Sequence, residues 1–301
     1  MATYYVGTCS WTEKTLIAEG SFYPPQFKNS AERLSFYAQN FNTVEVDSTF
    51  YAFPAERNAH LWVERTPPSF LFNIKSFSLF TFHKTPLSAL PLFLKEELSE
   101  KLQNQPYLYL SDVPKEWLKM ALLAFLSAIN PLSEENKLGY ILFQFPPWIE
   151  KSPEIMEYLS WLRENTPGTL AIEFRHRSWL DEDNREETFR FLRQERLAYT
   201  CVDEPQLPWT VPPIVEATTA ELITRFHGRN KTAWEKKGAP PEKKFAYLYK
   251  EEELNQWKEV VKKKSPEVEK VFLMFNNCFR DYAVVNAKQM NYSIQQNLLN
   301  C

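Results

Sequence analysis

Eight times along this chain a short apolar, strand-like run ends in polar, chemically capable residues. The runs are 4–11 (YYVGTCSW), 43–51 (TVEVDSTFY), 70–77 (FLFNIKSF), 139–148 (GYILFQFPPW), 170–179 (LAIEFRHRSW), 198–204 (AYTCVDE), 222–229 (LITRFHGR) and 271–277 (VFLMFNN). Helical patterns separate most of them. Eight strand–helix units are the signature of a closed (β/α)8 barrel, whose chemistry sits at the C-terminal ends of its strands. The expected fold is therefore an α/β TIM barrel, with residues 1–301 read as one domain. Its 301 residues suit one such barrel.

The intervening segments support this reading. Leu34, Tyr37, Ala38 and Phe41 fall on one helical face, and residues 56–65 read as a helix stopped by Pro67-Pro68. Ser152 reads as an N-cap with Pro153 behind it, and Ile155, Leu159 and Leu162 form the stripe to be buried. Phe189 and Leu192 anchor a helix over 185–195. The segment 251–264 carries acids in its first turn and lysines in its last, complementing the helix dipole, and 286–298 reads as a final helix. Two places break the rhythm. An insertion, about 78–136, separates the third and fourth strands; a helix over 114–129 follows the stretch 85–112, which reads as a lid or a partner surface. The Pro-rich link between the sixth and seventh strands offers no helix, so one outer helix is expected to be missing.

Composition narrows the setting. A net charge of −3 advertises no global nucleic-acid or membrane field. No apolar run reaches the roughly 18 residues of a membrane span. The start shows no signal peptide. Cys9, Cys201, Cys278 and Cys301 have no CxxC spacing, which suits a reducing, cytoplasmic setting. With 6 glycines, none in GxGxxG or P-loop spacing, no phosphate-cradling loop is present, and no GxSxG elbow occurs.

Residues two apart on a strand share a face. Glu173 with Arg175, Glu45 with Asp47, and Cys201 with Asp203 are such pairs. Charged residues in barrel strands are costly unless paired or functional. Lys75, Gln144, His227, Arg229, Asn276 and Asn277 complete a polar ring, read as a functional site or as a salt-bridged plug. A second layer is aromatic: Trp11, Tyr51, Trp148, Trp179, Trp209 and Trp234 lie in or after the strands, as platforms for sugar or base rings or as packing caps. Glu45, Glu173, Asp203 and His227 match divalent-metal ligands in type, but histidines are few and Arg175 and Lys75 would repel a cation. No metal ligand or cofactor is assigned, and a divalent metal stays open. Glu45 with Glu173 would suffice as a carboxylate pair for glycoside hydrolysis. Arg175, Arg229, Lys75 and His227 favour an anionic ligand.

The motifs VGTCSW, FNTVEVDSTFYAFP, WVERTPPSFLFNIK, LGYILFQFPP, AIEFRHRSW, RFHGR and FNN, the last followed by Asn286-Ala287, resemble the family called domain of unknown function 72, also known as YecE-like. The resemblance spans nearly the whole chain in order and implies a TIM barrel with no settled activity. Carried over by motif, the site positions are Glu45, Asp47, Tyr51, Lys75, Gln144, Glu173, Arg175, His176, Asp203, His227, Arg229, Asn276 and Asn277. The chain departs from the family pattern at Cys9-Ser10, where Ser-Gly is usual, at Cys278, where a His is common, and in the length of 85–112.

The function expected is that of a hydrolase acting on a polar, anionic substrate with a sugar or base ring. Glu173 is expected as base or nucleophile, Arg175 as its orienting partner, His227, Glu45 and Asp203 as further catalytic groups. Trp11, Asp47, Tyr51, Lys75, Gln144, His176, Trp179, Arg229, Asn276 and Asn277 are expected to bind substrate. One alternative is a nucleic-acid-binding or nucleic-acid-processing barrel using Arg175, Arg177, Arg229 and the basic run 231–244. Another is a scaffold contacting a partner through Leu90, Leu92, Phe93 and Leu94.

Overall fold

The computed structural model describes residues 2–236 and 238–299. Cys301, and Lys237 within the basic run, lie outside them. Eight parallel strands form one barrel-shaped sheet: β1 (Thr3–Thr8), β2 (Thr43–Val46), β3 (Leu71–Lys75), β4 (Leu138–Gln144), β5 (Leu170–Glu173), β6 (Ala198–Asp203), β7 (Glu221–Phe226) and β8 (Lys270–Phe275). Their order is β1-β8-β7-β6-β5-β4-β3-β2. Most strand residues are buried, as expected where helices cover the outside and side chains fill the inside.

The outer helices form where the apolar spacing and the caps place them. Ser30–Asn40 starts at an Asn29/Glu32 capping box and buries Leu34 and Tyr37. Pro153–Asn165 starts at Ser152, whose side chain accepts from the Ile155 N–H, and it buries Leu159 and Leu162. Glu251–Lys264 has three acids first and three lysines last. Between β6 and β7 there is no helix, so one outer helix is indeed missing. The second run is shorter as a strand than its sequence suggests: after Asp47 the chain turns into a short helix, Ser48–Tyr51, which carries Tyr51 out to 69% exposure.

The insertion between β3 and β4 holds two short helices, Leu92–Glu96 and Glu100–Gln103, and a two-residue antiparallel pairing of Thr85–Pro86 with Tyr107–Leu108. Its long helix, Lys115–Glu134, runs past Ile129 and through Pro131. Leu90 and Leu94 are buried here, and Trp117 donates to the Leu94 carbonyl, whereas Leu92 and Phe93 face solvent. No helix among the described residues is long and apolar enough to cross a membrane.

The barrel closes by side chains rather than by a ladder. No backbone pairing joins β1 to β2 among the described residues. The Asn42 amide accepts from the Val6 N–H (3.0 Å) and donates to the Tyr4 carbonyl (2.8 Å), standing in for two ladder bonds. The Tyr37 hydroxyl accepts from the Thr8 N–H (2.8 Å) and donates to the Thr43 carbonyl (3.2 Å). The strands approach so closely that a Cβ at Gly7 would lie 2.1 Å from the Thr43 oxygen. Tyr37→Phe would strip a buried N–H and a buried C=O of a shared partner. It should destabilise the protein by about 2 kcal/mol in urea unfolding; a loss within the ~0.5 kcal/mol noise of a surface change would mean the seam does not depend on it.

Candidate active site at the barrel mouth

The centre of the barrel's C-terminal end is Arg225, a residue not among those expected. It projects inward from β7, two positions before His227, and is fully buried. Its guanidinium bridges two strands' carboxylates: Nη2 and Nε reach Glu45 (2.5 and 3.1 Å) and Nη1 reaches Glu173 (2.5 Å). Nη2 also points at the Cys9 sulfur, 3.6 Å away. Glu45 accepts in addition from the Tyr140 hydroxyl at 3.1 Å.

Glu173 is saturated with donors. Beyond Arg225 it accepts from Gln144 Nε2 (2.6 Å), His227 Nε2 (2.9 Å) and Arg175 Nη1 (3.3 Å). Burial alone would raise its carboxyl, but Arg225, then His227 and Arg175, hold it well below the usual carboxylate range. Because the ionised Glu173 can only accept, His227 carries its proton on Nε2, and Nδ1 accepts from Asn276 Nδ2 at 2.8 Å. Burial holds the imidazole neutral and lowers it to about 4, against the pull of Glu173. Both ring nitrogens are thus occupied. Glu173, expected as base or nucleophile, and His227, expected as a further catalytic group, are held together in an internal frame with Arg175 and Arg225.

The other titratable groups of the mouth lie around this frame. Burial drives Glu45 up to about 7; Arg225 opposes the shift and Asp47 adds to it. Asp47 is half-buried, and its Oδ1 is buried without a partner. Glu204, at the end of β6, is fully buried and also pushed up to about 7 by burial, with Arg175 opposing. Arg175 Nη2 sits 2.7 Å from Glu204, outside hydrogen-bond alignment, so both Glu204 oxygens lack an aligned donor. Lys75, at the end of β3, is 9% exposed. Among the described residues its ammonium makes no ion pair or hydrogen bond and rests 4.7 Å from the centre of the Phe50 ring. His83, from the insertion, stands edge-on to Phe50 (4.9 Å) and Trp148 (5.7 Å). Burial and then Lys75 lower it to about 4. Trp234 covers the Arg175 guanidinium at 5.0 Å.

Other expected residues are placed elsewhere. Cys201 and Asp203 do share a face of β6, but it is the outer one. Asp203 accepts from Trp257 Nε1 (2.8 Å) on the helix Glu251–Lys264, and from Arg229 (2.9 Å). Arg229 also pairs with Glu253, so two of the arginines expected on a basic rim, Arg175 and Arg229, are already neutralised. With Asp203 turned outward and Arg225 between Glu45 and Glu173, the four suggested metal ligands do not form one coordination set. Among the described residues no three His, Cys, Asp or Glu side chains cluster to hold a metal. Asn277 ties the Tyr247 carbonyl to Asn286, and His176 bonds Ser178 locally. Trp11 donates to Ser30 and is buried; Trp179 is buried, stacked on Phe174 at 3.9 Å. Neither offers a free face, whereas Tyr51 and Trp148 (62% exposed) do.

The model of a family described as a protein of unknown function, DUF72, matches residues 5–300. The chain belongs to the DUF72 family. A curated relative, UPF0759 protein YunF of Bacillus subtilis (strain 168), is 32% identical over 292 residues, covering 95% of this chain and 93% of that protein. A DUF72 family crystal structure from Thermotoga maritima MSB8 is 33% identical with a TM-score of 0.77, covering 97% of this chain and 99% of that one. Another from Enterococcus faecalis V583 is 25% identical with a TM-score of 0.74, covering 98% of each chain. These likenesses agree with the TIM-like barrel and name no activity. Two of the expected departures from the DUF72 pattern, Cys9 and Cys278, lie together: Cys278 Sγ is 3.9 Å from the Cys9 carbonyl, beside the apolar layer beneath Arg225. The His227 frame is complete without a histidine at 278, because Asn276 serves Nδ1.

Proposed function

We propose that this protein is a hydrolase acting at the C-terminal mouth of its barrel on a polar, anionic substrate that carries a sugar or base ring. The observation that carries the reading is Lys75. A lysine that is nine-tenths buried, with no ion pair or hydrogen bond among the described residues and with Phe50 and the neutral His83 beside it, is a cation that an anion would complete. The buried, unpartnered Nε–H of Arg175 supports the same reading. Tyr51 and Trp148 supply the exposed ring faces. In this mechanism Glu45 moves the proton, because it titrates near neutrality, and Asp47 links it to the mouth. Glu45 as base takes a proton from the attacking water and returns it to the leaving group. Glu173, Arg225 and His227 hold the geometry. The unpaired thiols of Cys9, Cys201 and Cys278 support a cytoplasmic setting.

The test is turnover of a panel of ring-bearing anionic esters and glycosides by the wild type and by Lys75→Met. The variant should lose about 100-fold or more in kcat/KM, the scale of one charge-assisted contact in a dry site. Turnover that survives intact in Lys75→Met would reject the mouth as the site.

A further inference from the structure

We infer that the anionic group taken at this mouth is a phosphoryl group, seated on the Lys75 ammonium and the Arg175 Nε–H, with the attached ring against Trp148 and Tyr51. This rests on the mouth being the binding site, as proposed above, and narrows the substrate to phosphorylated ring compounds.

The donors left free shape the site, and His83 then sets the class. A guanidinium fork gives two parallel N–H donors and reads carboxylate and phosphate alike. No arginine at the mouth has a fork to spare. Arg225 spends Nε and Nη2 on Glu45 and Nη1 on Glu173. Arg175 donates from Nη1 to Glu173 and holds Nη2 in an ion pair with Glu204, which leaves Nε alone, buried and unpartnered. What remains is a point charge on β3 and a single N–H just beyond β5. Separate donors on different strands suit a tetrahedral group whose oxygens diverge, and lysine binds phosphate as a point charge.

His83 adds a second discrimination. The Thr81 hydroxyl donates to the Ser78 carbonyl, so it accepts from His83 Nδ1–H and leaves Nε2 as an acceptor. The ring is held neutral beside Lys75. A monoester phosphate, whose second ionisation lies near pH 6, can present a P–OH to that acceptor. A carboxylate at neutral pH has no proton to give. Phe50 and Trp148 on either side of His83 place aromatic surface next to this acceptor.

The experiment is calorimetric titration of the full chain with two matched pairs: adenosine 5′-monophosphate against adenosine 5′-carboxylate, and glucose 6-phosphate against glucuronate. Inorganic phosphate and acetate serve as ring-free probes. The expected result is that the phosphorylated member of at least one pair binds about tenfold or more tighter, with Lys75→Met abolishing the difference. Which pair responds tells nucleotide from sugar phosphate. Arg175→Lys, which keeps the charge but removes Nε, should lose part of the same difference and guards against misfolding of the first variant. Equal or tighter binding of the carboxylates, weakened by Lys75→Met, would overturn the phosphoryl assignment and leave the mouth as an anion site. No binding by any of the six probes would overturn both.

Discussion

Replacing Arg225 with methionine should cost this protein about 3–5 kcal/mol of stability, because it leaves two buried carboxylates with no cation between them. For a chain this long, that corresponds to a fall in Tm of roughly 10 °C. The side chain is fully buried and links β2, β5 and β7 at one atom cluster, so neither water nor a neighbour can replace it. Methionine keeps much of the volume, so the loss reports charge rather than a cavity. Adding Glu45→Gln to Arg225→Met should recover part of the loss, since one of the two stranded charges is then removed. An Arg225→Met protein that melts with the wild type would mean the three groups are not mutually dependent.

The second large effect is on Glu45→Gln. If Glu45 carries the proton in hydrolysis, the variant should lose about 10²–10⁴-fold in kcat on any substrate found, along with the pH dependence near 7. Stability gives an independent check. The folded carboxyl of Glu45 is raised from 4.5 to about 7, so between those values the folded state holds the proton more tightly than the unfolded state. Stability from this group is therefore full below pH 4.5 and is lost as pH rises towards 7. His227 and His83 act with the opposite sign. Their folded values are lowered from 6.5 to about 4, so they weaken the fold as pH falls through that window. The two trends offset each other in the wild type. Glu45→Gln removes one of them, so its stability relative to wild type should climb as pH rises from 4.5 to 7. The climb is at most about 1.4 kcal/mol per pH unit. A relative stability that stays flat across this window would show that Glu45 does not titrate there.

The strand–helix rhythm makes the barrel legible, because apolar runs ending in polar residues have a direct structural cause: buried strands and a polar rim. Caps at Asn29 and Ser152 followed ordinary local chemistry. The site was harder to read for two physical reasons. Period-two alternation tells which residues share a face but not which face looks inward. On β6 the alternation singles out Cys201 and Asp203, the outward pair, while Glu204, one position on, is the strand's contribution to the interior. On β7 alternation does carry the signal: Arg225 stands two residues before His227, so the face that carries His227 also carries Arg225. His83 belongs to the insertion rather than to a barrel strand, and only the folded chain sets it beside Lys75. The aromatic layer divided by exposure, which spacing cannot reveal: Trp11 and Trp179 pack inward, Tyr51 and Trp148 stand open.

The role proposed for the mouth of this barrel is to receive an anion with a ring, rather than to be closed by a salt-bridged plug. The most direct measurement is a crystal structure after soaking with mixed sugar phosphates and nucleotides. The expected result is density for an anion between Lys75 and Arg175, with a ring against Trp148 or Tyr51 and the Arg225 bridge unchanged. A mouth that stays empty at saturating ligand, with Lys75 still on Phe50, would contradict the claim.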